Sequence, residues 1–317
     1  MNFRKLVQRH RGLIPFMTLI ILVLLVGINA PVFLTVGSIL TTMTDTATLF
    51  IMAAGITFVN MLGGIDLSGQ STVALASIVC SMSVVHWGYA AIPLAILTGM
   101  VVGLISGLVH VHFKLPSFIA TLAVGSVAAS AALLLSGERS VPISAENRDT
   151  YFFWIVGETL GIPNQIIVGF VVLLVSLCIE RFTKFGYWSR AVGSGEPAAL
   201  AIGVPITQVK VTALVLSGAF AGFAGLVLGA RLGSGSPTIA NETLLPAIAA
   251  IVVGGTAITG GTGSVIYTLI GALMISVVRI GMTFIGVDIF AQQIVFGVLI
   301  VIAAAATIDR SKLSIVK

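Results

Sequence analysis

Charged side chains are scarce in this chain, and their scarcity excludes a soluble protein. Asp, Glu, Lys and Arg make up 9% of the 317 residues, whereas they make up roughly a quarter of an ordinary soluble domain. Hydrophobic residues account for 57%, and the mean hydropathy is +1.14. A surface with so few charges could not be kept in water, so the chain is predicted to lie in a lipid bilayer.

Cysteine and the short motifs of enzymes are rare or missing. Cys80 and Cys178 are the only cysteines, and both fall in apolar segments, which excludes a disulfide framework. The sequence has no G-x-x-x-x-G-K-[ST] phosphate-binding loop, zinc-ligand spacing, G-x-S-x-G elbow or H-E-x-x-H helix. We therefore predict no catalytic residue, no metal and no directly bound cofactor, and energy from ATP would have to come from another protein.

The chain does contain a series of long apolar runs. A helix needs about 20 apolar residues to cross about 30 Å of hydrocarbon. We predict an all-α polytopic membrane protein with a single transmembrane domain over residues 1–317. It would have about ten spans, at residues 13–32, 39–62, 72–85, 90–109, 117–136, 162–179, 209–230, 245–258, 265–285 and 289–308. The runs at 72–85 and 245–258 are short and are predicted to be half-helices.

The distribution of basic residues predicts the orientation. An even number of spans places both termini on one side, and cytoplasmic loops of membrane proteins are rich in Lys and Arg. With both termini in the cytoplasm, four arginines fall outside or within the membrane: Arg139, Arg148, Arg231 and Arg279. The other twelve of the 16 basic residues fall inside: Arg4, Lys5, Arg9, Arg11, Lys114, Arg181, Lys184, Arg190, Lys210, Arg310, Lys312 and Lys317. The net charge of +5 thus reflects topology, and no nucleic-acid partner is predicted.

Two glycine-rich stretches, 191 positions apart, align without a gap: Gly63-Gly64-Ile65-Asp66-Leu67-Ser68-Gly69-Gln70 and Gly254-Gly255-Thr256-Ala257-Ile258-Thr259-Gly260-Gly261. Corresponding breaks in two halves of a membrane protein indicate paired discontinuous helices, because glycine and hydroxyl residues let the backbone unwind along a protected cavity. We predict pseudo-repeated halves with these stretches beside a polar path. The alternative is two helix-connecting turns that agree only in composition.

The hydrophilic loops offer places for partners. Residues 137–163 are predicted to lie outside, as an aromatic interfacial anchor or a docking surface for an external protein. Residues 182–208 are predicted to lie inside, and they contain a short helix over residues 196–204. Pro197 lies in its first turn and Gly203 at its end, which are the usual positions of these residues in a helix.

Polar and charged residues near the spans are candidates for the path. Asn60, Ser68, Gln70, Thr259, Gln292 and Gln293 can form hydrogen bonds with a neutral polyhydroxyl solute, although contacts between helices would explain several of them. The ionisable candidates are Asp45, Asp66, Glu242 and Arg279, since charges in a membrane usually face a cavity or the protein interior. Asp66 could instead cap the following helix, and Arg279 could pair with Asp45 or Asp288, or bind an acidic solute.

Four sequence segments resemble the membrane-spanning permease subunit of ribose-type ABC sugar importers over nearly the full length. They are Gly63-Gly64-Ile65-Asp66-Leu67-Ser68, Leu115 to Ala123, Ala191-Val192-Gly193 through Ile202-Gly203, and Ala247 to Thr256 followed by Gly260-Gly261-Thr262-Gly263-Ser264. This chain departs from the family in two places. Gly69-Gln70 replaces an apolar residue and glycine, and Arg279 stands where asparagine is common, which leaves the solute open.

The resemblance implies a transport subunit of the bacterial inner (cytoplasmic) membrane, in contact with membrane lipid, and no enzyme. Its implied partners are two cytoplasmic ABC ATPase subunits that use ATP and Mg, a second permease copy or paralogue, and a periplasmic or extracellular solute-binding protein. The path would include Asn60, Gly63, Gly64, Asp66, Ser68, Gln70, Gly254, Gly255, Thr259, Arg279 and Gln292. ATPase coupling would use Glu196, Pro197, Ala198, Ala199, Ile202 and Gly203. The alternatives are a self-contained ion-coupled secondary transporter and a passive channel.

Overall fold

The computed structural model describes residues 13–307, and most of this range is helical. The helices are α1 (Leu13–Asn29), α2 (Val36–Met61), α3 (Gly69–Trp87), α4 (Ala91–His112), α5 (Ser117–Ser136), α6 (Ala145–Tyr151), α7 (Phe153–Val156), α8 (Asn164–Phe182), α9 (Lys184–Ser194), α10 (Glu196–Ala201), α11 (Ile206–Leu232), α12 (Leu244–Val253), α13 (Val265–Phe284) and α14 (Ile289–Thr307). Two 3₁₀ turns cover Pro31–Leu34 and Gly88–Ala90.

The polytopic all-α architecture is confirmed. Each of the ten predicted apolar runs overlaps one helix. Within residues 13–307, six apolar runs are long enough to cross a membrane, and one of them, Gly69–His112, contains both α3 and α4. Three further apolar helices are shorter: Pro15–Asn29, Leu244–Val253 and Ile289–Ala305.

The two predicted half-helices behave differently from each other. The prediction of a short helix at 72–85 was wrong, because α3 has 19 residues and thus approaches the length of a full span. Helix α3 begins at Gly69. The Asp66 side chain accepts a hydrogen bond from the backbone N–H of Ser68, and this bond orders the turn before the helix. By contrast, α12 has only 10 residues, and non-helical backbone over residues 254–264 carries the chain onward to α13.

Glycines allow the central helices to approach each other closely. A Cβ on Gly103 of α4 would collide with the carbonyl oxygen of Leu214 in α11, and a Cβ on Gly218 would collide with that of Gly99. Small residues are the usual means of close helix packing in membranes, where van der Waals contact replaces the hydrophobic effect. As a result α11 lies at the centre of the molecule, against α2, α3 and α4.

Short strands join the loops at one end of the molecule. β1 (Val141–Pro142) pairs with β4 (Ser234–Gly235) in antiparallel fashion, so the loops that follow α5 and α11 lie side by side. β2 (Glu158–Thr159) and β3 (Ile162–Pro163) form a small hairpin before α8. The predicted topology requires both loops on the same face of the membrane, and their pairing meets that requirement.

Candidate functional site: a polar cavity and a glycine junction

A large cavity of about 1140 Å³ opens beside the first half of α2. Residues from α2, α13, α14 and the loop before α12 line it, and many of them carry hydroxyl, amide or charged groups. The polar lining residues are Thr35, Ser38, Thr41, Asp45, Thr238, Asn241, Glu242, Thr243, Arg279, Thr283, Gln292 and Gln293. This mixture provides both hydrogen-bond donors and acceptors around a volume that is ample for a small polar molecule.

An ion triad lies in the wall of this cavity. Asp45 Oδ1 is 2.6 Å from Arg231 Nη2, and Asp45 Oδ2 is 3.1 Å from Arg279 Nη2. The triad ties α2, α11 and α13 together, and it carries one more positive than negative charge. Asp45 and Arg279 also line a narrow pocket of about 70 Å³, together with the apolar side chains of Met52, Val73, Ala224 and Leu228. Arg231, Thr48 and Thr243 also line this small pocket, so the triad lies between it and the large cavity.

The first glycine stretch leaves the helix and runs along α5. Residues 62–68, between α2 and α3, are not helical. The hydroxyl groups of α5 replace the lost helical acceptors, because Ile65 N donates to Ser117 Oγ at 2.9 Å and Leu67 N donates to Thr121 Oγ1 at 3.0 Å. Backbone polar groups within a membrane protein need such partners, since lipid offers none.

Asp66 lies within this stretch and is fully engaged with protein groups. Its side chain is 2% exposed. Oδ1 accepts hydrogen bonds from Ser68 N at 2.8 Å and Ser68 Oγ at 2.6 Å, and Oδ2 accepts one from Ser217 Oγ of α11 at 2.6 Å. Asp66 lines neither the large cavity nor the small pocket beside the triad. Its contacts are those of a buried anchor at the start of α3.

The second glycine stretch touches the first. Gly261 N donates a hydrogen bond of 3.0 Å to the carbonyl oxygen of Met61 at the end of α2. A Cβ on Gly260 would lie 2.6 Å from Gly63 N, and a Cβ on Gly63 would lie 3.0 Å from the carbonyl oxygen of Thr259. Gly63, Gly260 and Gly261 also have φ angles of 79°, 83° and 77°, which L side chains rarely adopt. Both stretches therefore need glycine, because these φ angles disfavour other residues and because a side chain would push the two backbones apart.

Helix α9 completes this contact. A Cβ on Gly193 would collide with the carbonyl oxygen of Met61, and a Cβ on Gly261 would lie 3.0 Å from Ser194 Oγ. We define the glycine junction as residues 61–64, 193–194 and 259–261. It joins the end of α2, the end of α9 and the loop before α13. The large cavity lies at the other end of α2, which is about 39 Å long at 1.5 Å per residue.

Helix α10 packs directly beside the glycine junction. Its Ala199 is 2% exposed and forms a buried cluster with Val192, Val204 and Val209, against which Leu62 of the first glycine stretch packs. The rest of the helix and the turn after it are open, with Leu200 65% and Ile202 75% exposed. The helix is shorter than predicted: it ends at Ala201, because Gly203 adopts a φ of 80° and turns the chain. Glu196 Oε1 pairs with Lys210 Nζ of α11 at 2.6 Å.

Comparison with known proteins identifies the family. The family described as branched-chain amino acid transport system / permease component matches residues 38–304. The chain belongs to this permease family. Ribose import permease protein RbsC of Bacillus subtilis (strain 168) is 38% identical to the permease over 300 residues, which are 94% of this chain and 92% of that protein. The resemblance to ribose-type permeases is confirmed.

Other relatives cover the permease to a similar extent. Probable ABC transporter permease protein YphD of Escherichia coli (strain K12) is 35% identical over 314 residues, covering 97% of this chain and 92% of that protein. L-arabinose ABC transporter permease protein AraH of Azospirillum brasilense is 33% identical over 292 residues, which are 90% of this chain and 84% of that protein. No solved structure matches the permease.

Four of the eleven predicted path residues line one of two separate cavities of the permease. Arg279 and Gln292 line the large cavity, where Gln292 is 4% exposed and donates to Thr283 Oγ1 and the Val287 carbonyl oxygen. Gly63 and Gly64 line a pocket of about 260 Å³ with His110, Ser117, Glu196 and Lys210. The other predicted residues lie along the first stretch and its flanking helices or on the second stretch: Asn60, Asp66, Ser68, Gln70, Gly254, Gly255 and Thr259.

Several contact residues escaped the sequence analysis. Arg231 was counted only as a charge outside the cytoplasm, and nothing in the sequence shows that it shares Asp45 with Arg279. Ser117 and Thr121 lie within the segment that resembles the family, but their hydroxyl groups have no distinctive spacing. Glu180 is the clearest case, because a carboxylate at the last turn of an apolar run is a signal that could have been noticed.

Proposed function

We propose that this permease is the membrane-spanning subunit of an ATP-driven importer that carries a monosaccharide or similar small polar solute across the inner membrane. Full-length similarity to ribose and L-arabinose permeases supports the class of solute. The observation that carries the mechanism is the position of α10, which is exposed except at Ala199, and Ala199 belongs to the buried cluster against which Leu62 packs. A partner that pushes on α10 thereby acts on the first glycine stretch.

The exposed residues of α10 and of the turn after it form the proposed docking surface for a cytoplasmic ABC ATPase. Pro197, Ala198, Leu200, Ile202 and Gly203 are all exposed, and apolar groups such as these fit a groove on a partner protein. ATP and Mg would be bound by that ATPase, since the permease has no phosphate-binding loop. Ala199 faces inward and anchors the helix.

The large cavity is the proposed entrance for the solute. Under this proposal the loops joined by β1 and β4 face the outside and meet a solute-binding protein, whereas the glycine junction and both termini face the cytoplasm. The ten apolar helices would then all contribute to crossing the membrane, and a second permease copy or paralogue would complete the path. Hydroxyl and amide groups in the cavity suit a neutral polyhydroxyl solute, and Asp45 already compensates one of the two neighbouring arginines.

Replacing Asp45 by asparagine should strongly impair this entrance. The change leaves Arg231 and Arg279 without their shared counterion and forces two like charges together beside the cavity. We expect solute uptake to fall about tenfold, which corresponds to about 1.4 kcal/mol. Uptake of radiolabelled sugar into vesicles that contain the complete transporter measures this loss.

The matched control is Glu242→Gln, the same change in the same cavity. No Lys or Arg pairs with Glu242 among the residues that the structure describes. Uptake by this control should stay close to that of the unchanged protein. If the two variants lose uptake equally, uptake depends on any negative charge in the cavity, and the ion triad has no specific role in transport.

Reconstitution into lipid vesicles tests the proposed function against its alternatives. The importer requires the ATPase, ATP and the solute-binding protein for uptake. A secondary transporter would instead take up solute with the permease alone under a proton or sodium gradient, and a channel would allow only downhill flux. In the secondary transporter, Asp66 or Asp45 would bind the coupling ion. Both carboxylates already have protein partners, since Asp66 accepts three hydrogen bonds and Asp45 pairs with two arginines. Uptake by the permease alone would overturn the proposal.

A further inference from the structure

Glu180 occupies an unusual position near the end of α8. Its side chain is 1% exposed, yet it is a carboxylate at the end of an otherwise apolar segment. Oε1 forms an ion pair with Arg190 Nη2 of α9. Oε2 accepts hydrogen bonds from Val265 N at 2.9 Å and from Ser264 Oγ at 3.2 Å. One buried carboxylate therefore holds α8, α9 and the start of α13.

The two oxygens of Glu180 serve different elements. Oε2 caps the N-terminus of α13, which three residues separate from the second glycine stretch, and a negative charge there also suits the helix dipole. Oε1 reaches α9, which ends at the glycine junction and leads directly into α10. Capping α13 requires only a hydrogen-bond acceptor, whereas the ion pair with Arg190 requires the charge of Glu180. Burial of a charge is costly unless it is paired, which makes this contact specific to its geometry.

Close packing holds α9 at both ends. A Cβ on Gly186, near its start, would collide with the carbonyl oxygen of Glu180, and a Cβ on Gly193, near its end, would collide with that of Met61. Arg190 lies between these two contacts. Helix α9 is thus a short rigid element between α8 and α10, and its ion pair with Glu180 is its charged link to α13 among the described residues.

The geometry points to Glu180 as a positioning residue that couples α9 to the second glycine stretch. When the ATPase moves α10, the Glu180–Arg190 pair makes α9 and the start of α13 move together, so that both glycine stretches shift rather than the first alone. This inference rests on the proposed function, in which α10 is the ATPase contact. Glu180 touches no solute and acts only through Arg190, Ser264 and Val265.

Glu180→Gln tests this coupling in the complete transporter, reconstituted with its ATPase and solute-binding protein. Glutamine has the same shape and can still accept the hydrogen bond from Val265 N, but it cannot form an ion pair with Arg190. ATP hydrolysis and solute uptake are measured in the same vesicles. We expect the number of solute molecules moved per ATP to fall about tenfold, the scale of one charge-assisted hydrogen bond, while hydrolysis changes less than about twofold.

Further variants separate coupling from folding. Arg190→Gln should give the same fall, and the double variant should be no worse than either single one, because both changes break one contact. Arg190→Lys keeps the positive charge, so it should move more solute molecules per ATP than Arg190→Gln does. Arg181→Gln is the matched control, since Arg181 is the exposed neighbour of Glu180 on α8. If Glu180→Gln does not assemble, Arg190→Gln decides, because the Arg190 side chain is 39% exposed and its loss leaves no buried cavity.

Two results would overturn the inference. The first is an unchanged ratio of solute to ATP in Arg190→Gln. The second is a parallel loss of uptake and hydrolysis in the glutamine variants, which would show a role in stability alone. Failure of the proposed function has a different signature, because the unchanged transporter would then show no ATP-dependent uptake.

Discussion

Replacing Gly260 by valine is expected to abolish transport. The φ angle of Gly260 is 83°, which a β-branched residue adopts only with strain. A Cβ at this position would also lie 2.6 Å from Gly63 N and 2.9 Å from Gly63 Cα. These are backbone atoms that cannot rotate away, so the two glycine stretches must separate. We expect uptake to fall at least about a hundredfold, since strain and steric overlap each cost on the order of 1–3 kcal/mol.

The control for Gly260→Val separates steric overlap from backbone strain. Gly286 has a similar φ angle of 78°, but no atom lies within 4 Å of the position of its Cβ. Gly286→Val therefore imposes comparable strain without any collision, and it should retain most of its uptake. The measurement is ATP-driven uptake by the two purified complexes at equal protein content. Equal uptake by both variants would show that contact between the stretches is not needed for transport.

Replacing Ala198 by arginine is expected to uncouple ATP hydrolysis from transport. Ala198 is exposed on α10, between the buried Ala199 and the helix start, so a larger side chain can be accommodated without disturbing the fold. In the proposed complex this surface is covered by the ATPase, where a bulky charge loses its water without a partner. Changes at the centre of an interface cost about 2 kcal/mol or more, so uptake per ATP should fall at least about 30-fold.

Thr207→Arg is the matched control for this prediction. Thr207 is also exposed and lies on the same loop region, at the start of α11 rather than on α10. Its variant should bind the ATPase and transport solute nearly as well as the unchanged protein. Normal uptake per ATP in Ala198→Arg would remove α10 from the mechanism, whereas a loss in both variants would indicate a wider docking surface.

The sequence predicts the membrane helices well because hydrophobicity is a direct property of each segment. Every apolar run found in the sequence overlaps a helix of the structure. The boundaries were less accurate where polar residues are helical, as in the first turn of α3, Gly69-Gln70-Ser71. Local glycine and proline signals also placed α10, although Gly203 stops the helix earlier than predicted.

The contacts of the site could not be predicted in the same way. The alignment of the two glycine stretches indicated that they correspond, but not that Gly63 and Gly260 touch, since this depends on how distant helices pack. The sequence likewise left two partners open for Arg279, and it did not indicate that Asp45 would be shared with Arg231. Glu180 is marked in the sequence by its place at the end of an apolar run, but its partners follow only from the three elements that meet there.

The glycine junction should change its exposure when the ATPase closes, and thiol labelling measures this change directly. Thr259 is exposed at the junction, and Thr259→Cys in a Cys178→Ser background provides a single accessible thiol, since Cys80 is buried. Its labelling by a membrane-impermeant maleimide is compared in the nucleotide-free complex and in the complex trapped with ATP and vanadate, with Phe113→Cys as an exposed control at the same end of the molecule. We expect labelling rates that differ about tenfold between the two states at residue 259 and agree at residue 113. Equal rates at residue 259 in both states would show that the glycine junction does not move with the ATPase.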